Sequence, residues 1–245
     1  MARRLRTARQ PSAETLERVL EHRDDLLRIS ADGAPGGAEP AWRNVWLPGL
    51  DAAALYSILR WKAPRRYLEI GSGVSTTFVR RAIRDGKLAT RITSIDPSPR
   101  REIDALCDEV VRRPLEEVPL ETFDSLEPGD VLFVDSSHHA FMNSDVTVVF
   151  LEVLPRLRPG LLVQIHDVFL PYDYPAAAWP TLRFYSEQYL LAAMLLANPE
   201  AVDIVLPCAF VSEDPELSRV LDPLWGALPP DGIHRTGGSF WFVTR

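Results

Sequence analysis

Tyr67-Leu68-Glu69-Ile70-Gly71-Ser72-Gly73-Val74-Ser75-Thr76-Thr77-Phe78 is the stretch that leaves this chain the fewest choices of fold. Tyr67, Leu68 and Ile70 favour a strand, and Ser75, Thr76 or Thr77 can cap a helix that runs to about residue 83. Gly71 and Gly73 between them permit a tight turn and let backbone approach a ligand with no Cβ in the way. The first N–H groups of such a helix are unpaired and aim at whatever lies above the turn. The stretch reads as a ligand cradle, with an ordinary strand-to-helix turn as the alternative. A dinucleotide fingerprint would carry a third glycine where a pyrophosphate sits on the helix; Gly-Ser-Gly-Val-Ser-Thr lacks it. Glu69, a carboxylate at the carboxyl end of an apolar strand, is the odd residue.

The rest of the chain alternates around this unit. Residues 91–96, 109–113, 130–135, 161–165, 202–206 and 239–244 read as strands, those at 130–135 and 161–165 apolar enough to be buried on both faces. Helices are expected at 13–29 (capped by Ser12), 51–64, 100–108, from Ser144 through Leu154, and 177–196. Strands alternating with helices give right-handed crossovers and a sheet covered on both sides, with ligands bound outside the carboxyl ends of the strands. Glu69, Asp96, Asp135 and the pair His166-Asp167 each end a different strand, so all are expected to face one crevice.

Residues 31–40 form a loop, and Trp42, Val45, Trp46 and Leu47 then place aromatic mass ahead of the cradle, as core or as a lid. The first ten residues carry four arginines and no acid and read as a solvated tail; no apolar run follows them, which argues against a signal peptide. No segment reaches membrane-spanning length. A net charge of −7 with no sustained basic face argues against nucleic acid. Cys107 and Cys208 are too few for a disulfide framework and fit a reducing cytoplasm. Lys62 and Lys87 are the lysines among 27 basic residues, the arginine bias of a GC-rich bacterial genome.

Taken as a set, Glu69-Ile70-Gly71-Ser72-Gly73 with Asp96 and Asp135 at later strand ends resembles class I S-adenosylmethionine-dependent methyltransferases. Val134-Asp135-Ser136-Ser137-His138, Leu154 to Gly160 and Ile165-His166-Asp167-Val168-Phe169-Leu170-Pro171 resemble a bacterial small-molecule subgroup related to the metal-dependent O-methyltransferases. The resemblance covers about residues 50–245. It implies an α/β fold: a Rossmann-like, doubly wound, seven-stranded sheet of order 3-2-1-4-5-7-6 with strand 7 antiparallel. A methyltransferase domain at 51–245 would follow an N-terminal helical extension or lid at 1–50. S-adenosylmethionine is the implied cofactor, its methionine part at Gly71, Ser72, Gly73 and Ser75, with Glu69 beneath. Asp96 would take the ribose, residues 113–116 would lie beside the adenine, and Asp135 would face the same ligand.

Methyl transfer to a hydroxyl needs an in-line acceptor, excluded water and a destination for the proton. Two uses of the available groups stay open. In one, Asp135, His166 and Asp167 hold a divalent metal that lowers the acceptor's pKa; an imidazole in the set suits a softer ion than Mg²⁺. In the other, His166 or His138 is a general base oriented by Asp135 or Asp167. Phe169-Leu170-Pro171-Tyr172-Asp173-Tyr174-Pro175 and Trp179 are expected to line the acceptor pocket or to pack among themselves. The favoured reading is an O-directed enzyme acting on a small-molecule acceptor, with a homo-oligomer left open. Alternatives are a non-catalytic cofactor-binding protein that keeps the fold and, less favoured, an NAD-linked oxidoreductase.

Overall fold

A computed structural model describes residues 1–34, 37–176 and 184–245; Trp179 and the start of the helix expected at 177–196 lie outside the described residues. Seven strands form one sheet: β1 (Arg66–Ile70), β2 (Arg91–Ile95), β3 (Glu109–Val111), β4 (Val131–Val134), β5 (Leu162–Ile165), β6 (Val202–Pro207) and β7 (Phe240–Thr244). Their order is β3-β2-β1-β4-β5-β7-β6, and β7 runs antiparallel to both neighbours, as expected. The helices are α1 (Ala2–Arg6), α2 (Arg9–Glu21), α3 (Arg23–Leu26), α4 (Gly49–Lys62), α5 (Val74–Gly86), α6 (Asp145–Val148), α7 (Leu154–Arg156), α8 (Glu187–Ala197), α9 (Cys208–Glu213) and α10 (Asp222–Trp225). Among the described residues no helix is long and apolar enough to cross a membrane.

Register sets the functional edge. Ile70 pairs with Ile95 on one side and Val134 on the other, and Val134 pairs with Ile165. The four parallel strands therefore stop level, and Gly71, Asp96, Asp135 and His166 emerge side by side, one strand spacing of about 4.8 Å apart. The sheet is buried on both faces. Tyr67, Phe133 and Trp241 point into one core with α2, α4 and α5, whereas Leu68, Leu132, Val163 and Phe242 point into the other.

Three sequence expectations are corrected. The first ten residues are not a free tail: Leu5 and Ala8 are in the second core, Arg4 reaches the Val202 carbonyl at 3.0 Å, and Arg9 pairs with Asp214 and Glu216. Burial of two apolar side chains outweighs the charge of their neighbours. The helix expected over 13–29 begins at Arg9 and breaks at His22, and Ser12 lies inside it, buried against β6, not at its cap. The helix expected over 100–108 is a single tight turn at Asp104–Leu106. Ile103 is the one fully buried apolar residue there, too little to hold a helical face.

Candidate active site

The turn after β1 is set by backbone approach. Gly71 has φ +78°, and a Cβ there would stand 1.8 Å from the Asp135 carbonyl oxygen, so no other residue fits. Gly73 has extended backbone, and a Cβ there would meet no protein atom within 4 Å; its missing side chain leaves room for a ligand. Beneath the turn Glu69 is wholly buried. Thr76 Oγ1 donates to it at 2.5 Å, Tyr67 Oη at 3.3 Å and Ser75 Oγ at 3.4 Å, while the Gly73 N–H donates to Thr76 Oγ1 at 3.1 Å. Glu69 thus ties strand, turn and helix together. Burial pushes its pKa up to about 7, against the pull of those hydroxyls.

A cleft of about 350 Å³ opens above the turn, walled by Gly71, Ser72, Asp96, Leu115, Glu116 and Asp135. Asp96 is anchored by backbone: the Ser72 N–H and the Ser98 N–H each donate to one of its oxygens at 2.8 Å. Each oxygen keeps a lone pair for a hydroxyl in the cleft. Ser136 Oγ, also in this wall, is buried with no partner among the described residues. An adjoining niche of about 30 Å³ is walled by Trp46, Gly73, Ser75, Arg100 and Asp135. Trp46 is there because Asn44 Oδ1 accepts the N–H groups of Trp46 (3.1 Å) and Leu47 (2.7 Å), which folds the segment over the cradle. The Arg100 guanidinium lies 4.3 Å from the Trp46 ring. The aromatic mass therefore divides: Trp42 packs edge-on against Phe78 and Trp225 in the core, and Trp46, 44% exposed, stays at the cleft.

Beyond Asp135 the other candidates gather at the same strand ends, with their exposures sorted by type. The side chains of Asp135 and Asp167 are 32% and 28% exposed, those of His138 and His166 only 7% and 3%. The carboxylates face the crevice and the imidazoles stand behind them. His138 Nε2 lies 3.2 Å from Asp135 and 3.6 Å from Asp167. Its Nδ1 bonds Glu187, at the first turn of α8. His138 (φ +64°) and Asp167 (φ +53°) both hold left-handed backbone, strain of about 1–3 kcal/mol each that clusters at functional sites. Burial alone would lower the His138 pKa, but Glu187 and Asp135 outweigh it and hold it well above the ordinary 6.5. Burial likewise opposes ionisation of Asp135, yet His166 and His138 bring its pKa below the usual carboxylate value.

His166 Nε2 faces the Trp46 carbonyl and Nδ1 faces Ser239 Oγ, each at 3.2 Å, and Asp51 lies 3.9 Å away. Burial would lower its pKa; Asp135, Asp167 and Asp51 together raise it. Asp51 itself accepts the N–H groups of Gly238 (2.7 Å) and Ser239 (3.0 Å). His139 packs its ring on Tyr185 at 5.5 Å, and Tyr172 and Tyr174 pack around Gln188.

The metal set suggested by the resemblance, Asp135, His166 and Asp167, does not fit a cation. Both His166 nitrogens already have partners, and the His138 ring stands against the two carboxylates. Among the described residues no group of three or more His, Cys, Asp or Glu is placed to hold a metal ion. The sequence reading missed Glu187. Its signal was a lone acid in an otherwise apolar helical stretch; its partner lies 49 residues away.

A family described as "Methyltransferase domain" matches residues 68–168, from β1 through the turn after β5. Among solved structures, an O-methyltransferase from Bacillus cereus in complex with SAH is 17% identical, covers 95% of this chain and 91% of its own, with a TM-score of 0.45. An SAH-bound methyltransferase of Podospora anserina is 18% identical, with 79% and 77% covered and a TM-score of 0.45. The plantazolicin methyltransferase BpumL in complex with SAH is 14% identical, with 93% and 99% covered and a TM-score of 0.44. Likeness this distant brings no activity with it. No curated protein matches the chain by sequence. Residues 68–168 match the methyltransferase-domain family, and the sheet that carries them has the order β3-β2-β1-β4-β5-β7-β6.

Proposed function

We propose that the protein transfers a methyl group from S-adenosylmethionine to a hydroxyl of a small-molecule acceptor. The observation that carries this reading is the cleft in which the level ends of β1, β2 and β4 meet, with a backbone-anchored acid and an unpartnered buried hydroxyl in its wall and the open Gly73 in the niche beside it. The residues fit the cofactor. The turn Gly71–Gly73 with Ser75 would receive the methionine part, Asp96 the ribose hydroxyls, and Pro114, Leu115 and Glu116 would flank the adenine. When bound, the sulfonium supplies an electrophilic methyl group. The chain's own part is to hold the acceptor in line, keep water out under Trp46, and take the proton on Asp135 or Asp167, the two partly exposed carboxylates. His138 and His166 act from behind, fixing the orientation of those carboxylates. The absence of a third glycine in the cradle speaks against NAD. The arginine bias and the two unpaired cysteines favour a bacterial, cytoplasmic enzyme.

Calorimetric titration with S-adenosylhomocysteine tests the reading, with an expected micromolar dissociation constant, about 7–8 kcal/mol. Asp96→Ala should weaken that binding by about 1–2 kcal/mol, roughly 5- to 30-fold, by leaving ribose hydroxyls unpaired. Its melting temperature is the control, since Ser72 and Ser98 lose an acceptor too. Undiminished binding would move the ribose contact elsewhere, and preference for NAD would end the methyltransferase reading.

A further inference from the structure

We propose that His138, seated on Glu187, is the built-in cation of this site and stands where a divalent metal would otherwise join Asp135 to Asp167. The geometry is that of one ring facing three carboxylates. Asp135 and Asp167 follow β4 and β5 and lie 3.2 and 3.6 Å from Nε2, while Glu187 reaches Nδ1 from α8. Burial resists the charge on Glu187 and the neighbouring His138 favours it. Ionised carboxylates only accept hydrogen bonds, so with Glu187 ionised a ring serving both sides carries a proton on each nitrogen, which is the imidazolium. The Tyr185 ring packs against His138, tilted by 47° with centroids 4.5 Å apart. Glu187 is 1% exposed and sits in the first turn of an eleven-residue helix, where the N-terminal dipole favours its negative charge.

The remaining charged groups fit this arrangement. His166 approaches from β5 and opposes the charge on His138, and Asp135, Asp167 and Asp51 offset it. Arg100 acts on Asp135 from the cleft side. A fixed imidazolium differs from a bound metal in two ways. It needs no ligand exchange, and it ties α8 to the two strand ends. Left-handed backbone at His138 is what turns the ring back under Asp135. Glu187 is accordingly a positioning residue, acting through His138. The inference rests on the methyltransferase reading for its purpose and on geometry for its placement.

The test uses the full chain and the metal ions alone as probes. Calorimetry with Mg²⁺, Mn²⁺ and Zn²⁺ should show no site on the wild-type protein, and S-adenosylhomocysteine should bind equally with and without chelator. In ¹⁵N-histidine spectra one ring should be doubly protonated at about pH 8, where free histidine is neutral. Glu187→Gln should lower that ring's pKa by about one unit or more, a tenfold change in protonation, with no loss of S-adenosylhomocysteine affinity. A stoichiometric ion on the wild-type chain that Asp135→Asn removes would overturn the proposal. So would a neutral His138 ring in the wild-type spectrum, a result that does not depend on any variant folding. Failure to bind S-adenosylhomocysteine alongside an intact imidazolium signal would instead overturn the proposed reaction.

Discussion

Gly71→Ala should cost the fold about 2–6 kcal/mol in urea denaturation and remove most S-adenosylhomocysteine binding. Two terms add. Left-handed backbone at φ +78° costs an alanine about 1–3 kcal/mol, and overpacking into fixed structure costs about 1–3 kcal/mol more. The second term cannot relax cheaply, because the new Cβ would stand 1.8 Å from a backbone oxygen. That carbonyl belongs to Asp135, whose own N–H is bonded to the Ile70 carbonyl at 2.8 Å. The Gly71 N–H in turn bonds the Ile95 carbonyl at 2.9 Å, so the turn is pinned from β2 as well. Any escape separates β1 from β4 at the edge where the cleft lies. Gly73→Ala supplies the contrast: its Cβ would enter open space on ordinary extended backbone, so stability should stay within about 1 kcal/mol while cofactor affinity falls. A stable Gly71→Ala protein would mean that the β1 turn and the end of β4 lie too far apart for the new Cβ to meet the Asp135 carbonyl.

The same pair of glycines shows what the sequence could reveal. The strands were legible because β4 and β5 are unbroken apolar runs and β1 ends on Gly-Ser-Gly. The level strand ends followed, and with them the convergence of Glu69, Asp96, Asp135 and His166-Asp167 on one edge. Strand order and the antiparallel β7 came from resemblance, since periodicity carries no information on which strands are neighbours. What failed was tertiary. Leu5 and Ala8 look like part of a basic tail until a core is there to receive them. Glu187 looks like a solubilising charge on α8 until the left-handed turn at His138 brings the ring to it. Residue types at strand ends told where chemistry could occur. Which carboxylates face the crevice, and which imidazoles stand behind them, depended on backbone twists at His138 and Asp167 that no spacing encodes.

Glu69→Gln should make the protein progressively more stable than wild type as pH rises from about 4.5 to about 7, by about 3 kcal/mol across that window. The wild-type carboxyl has its pKa raised from 4.5 to about 7 in the fold, chiefly by burial. Below about 4.5 it is protonated in both folded and unfolded chains and contributes nothing to the pH dependence. Between the two values the unfolded chain has released its proton and the native chain still holds it, so stability falls with rising pH. Above about 7 both are ionised and the full cost is present, about 2.5 units at 1.36 kcal/mol each. Glutamine has no proton to lose, so the difference between variant and wild type isolates this group from His138 and Asp135, whose shifts are common to both proteins. A constant offset is expected as well, because an amide nitrogen cannot accept the hydrogen bonds that Thr76, Ser75 and Tyr67 donate to Glu69. The slope of the difference is the test, not its absolute value. A difference that stays flat between about pH 4.5 and 7 would mean that those hydroxyls solvate the buried carboxylate well enough to keep it ionised. Glu69 would then anchor the cradle as a permanent charge instead of one that changes near neutral pH.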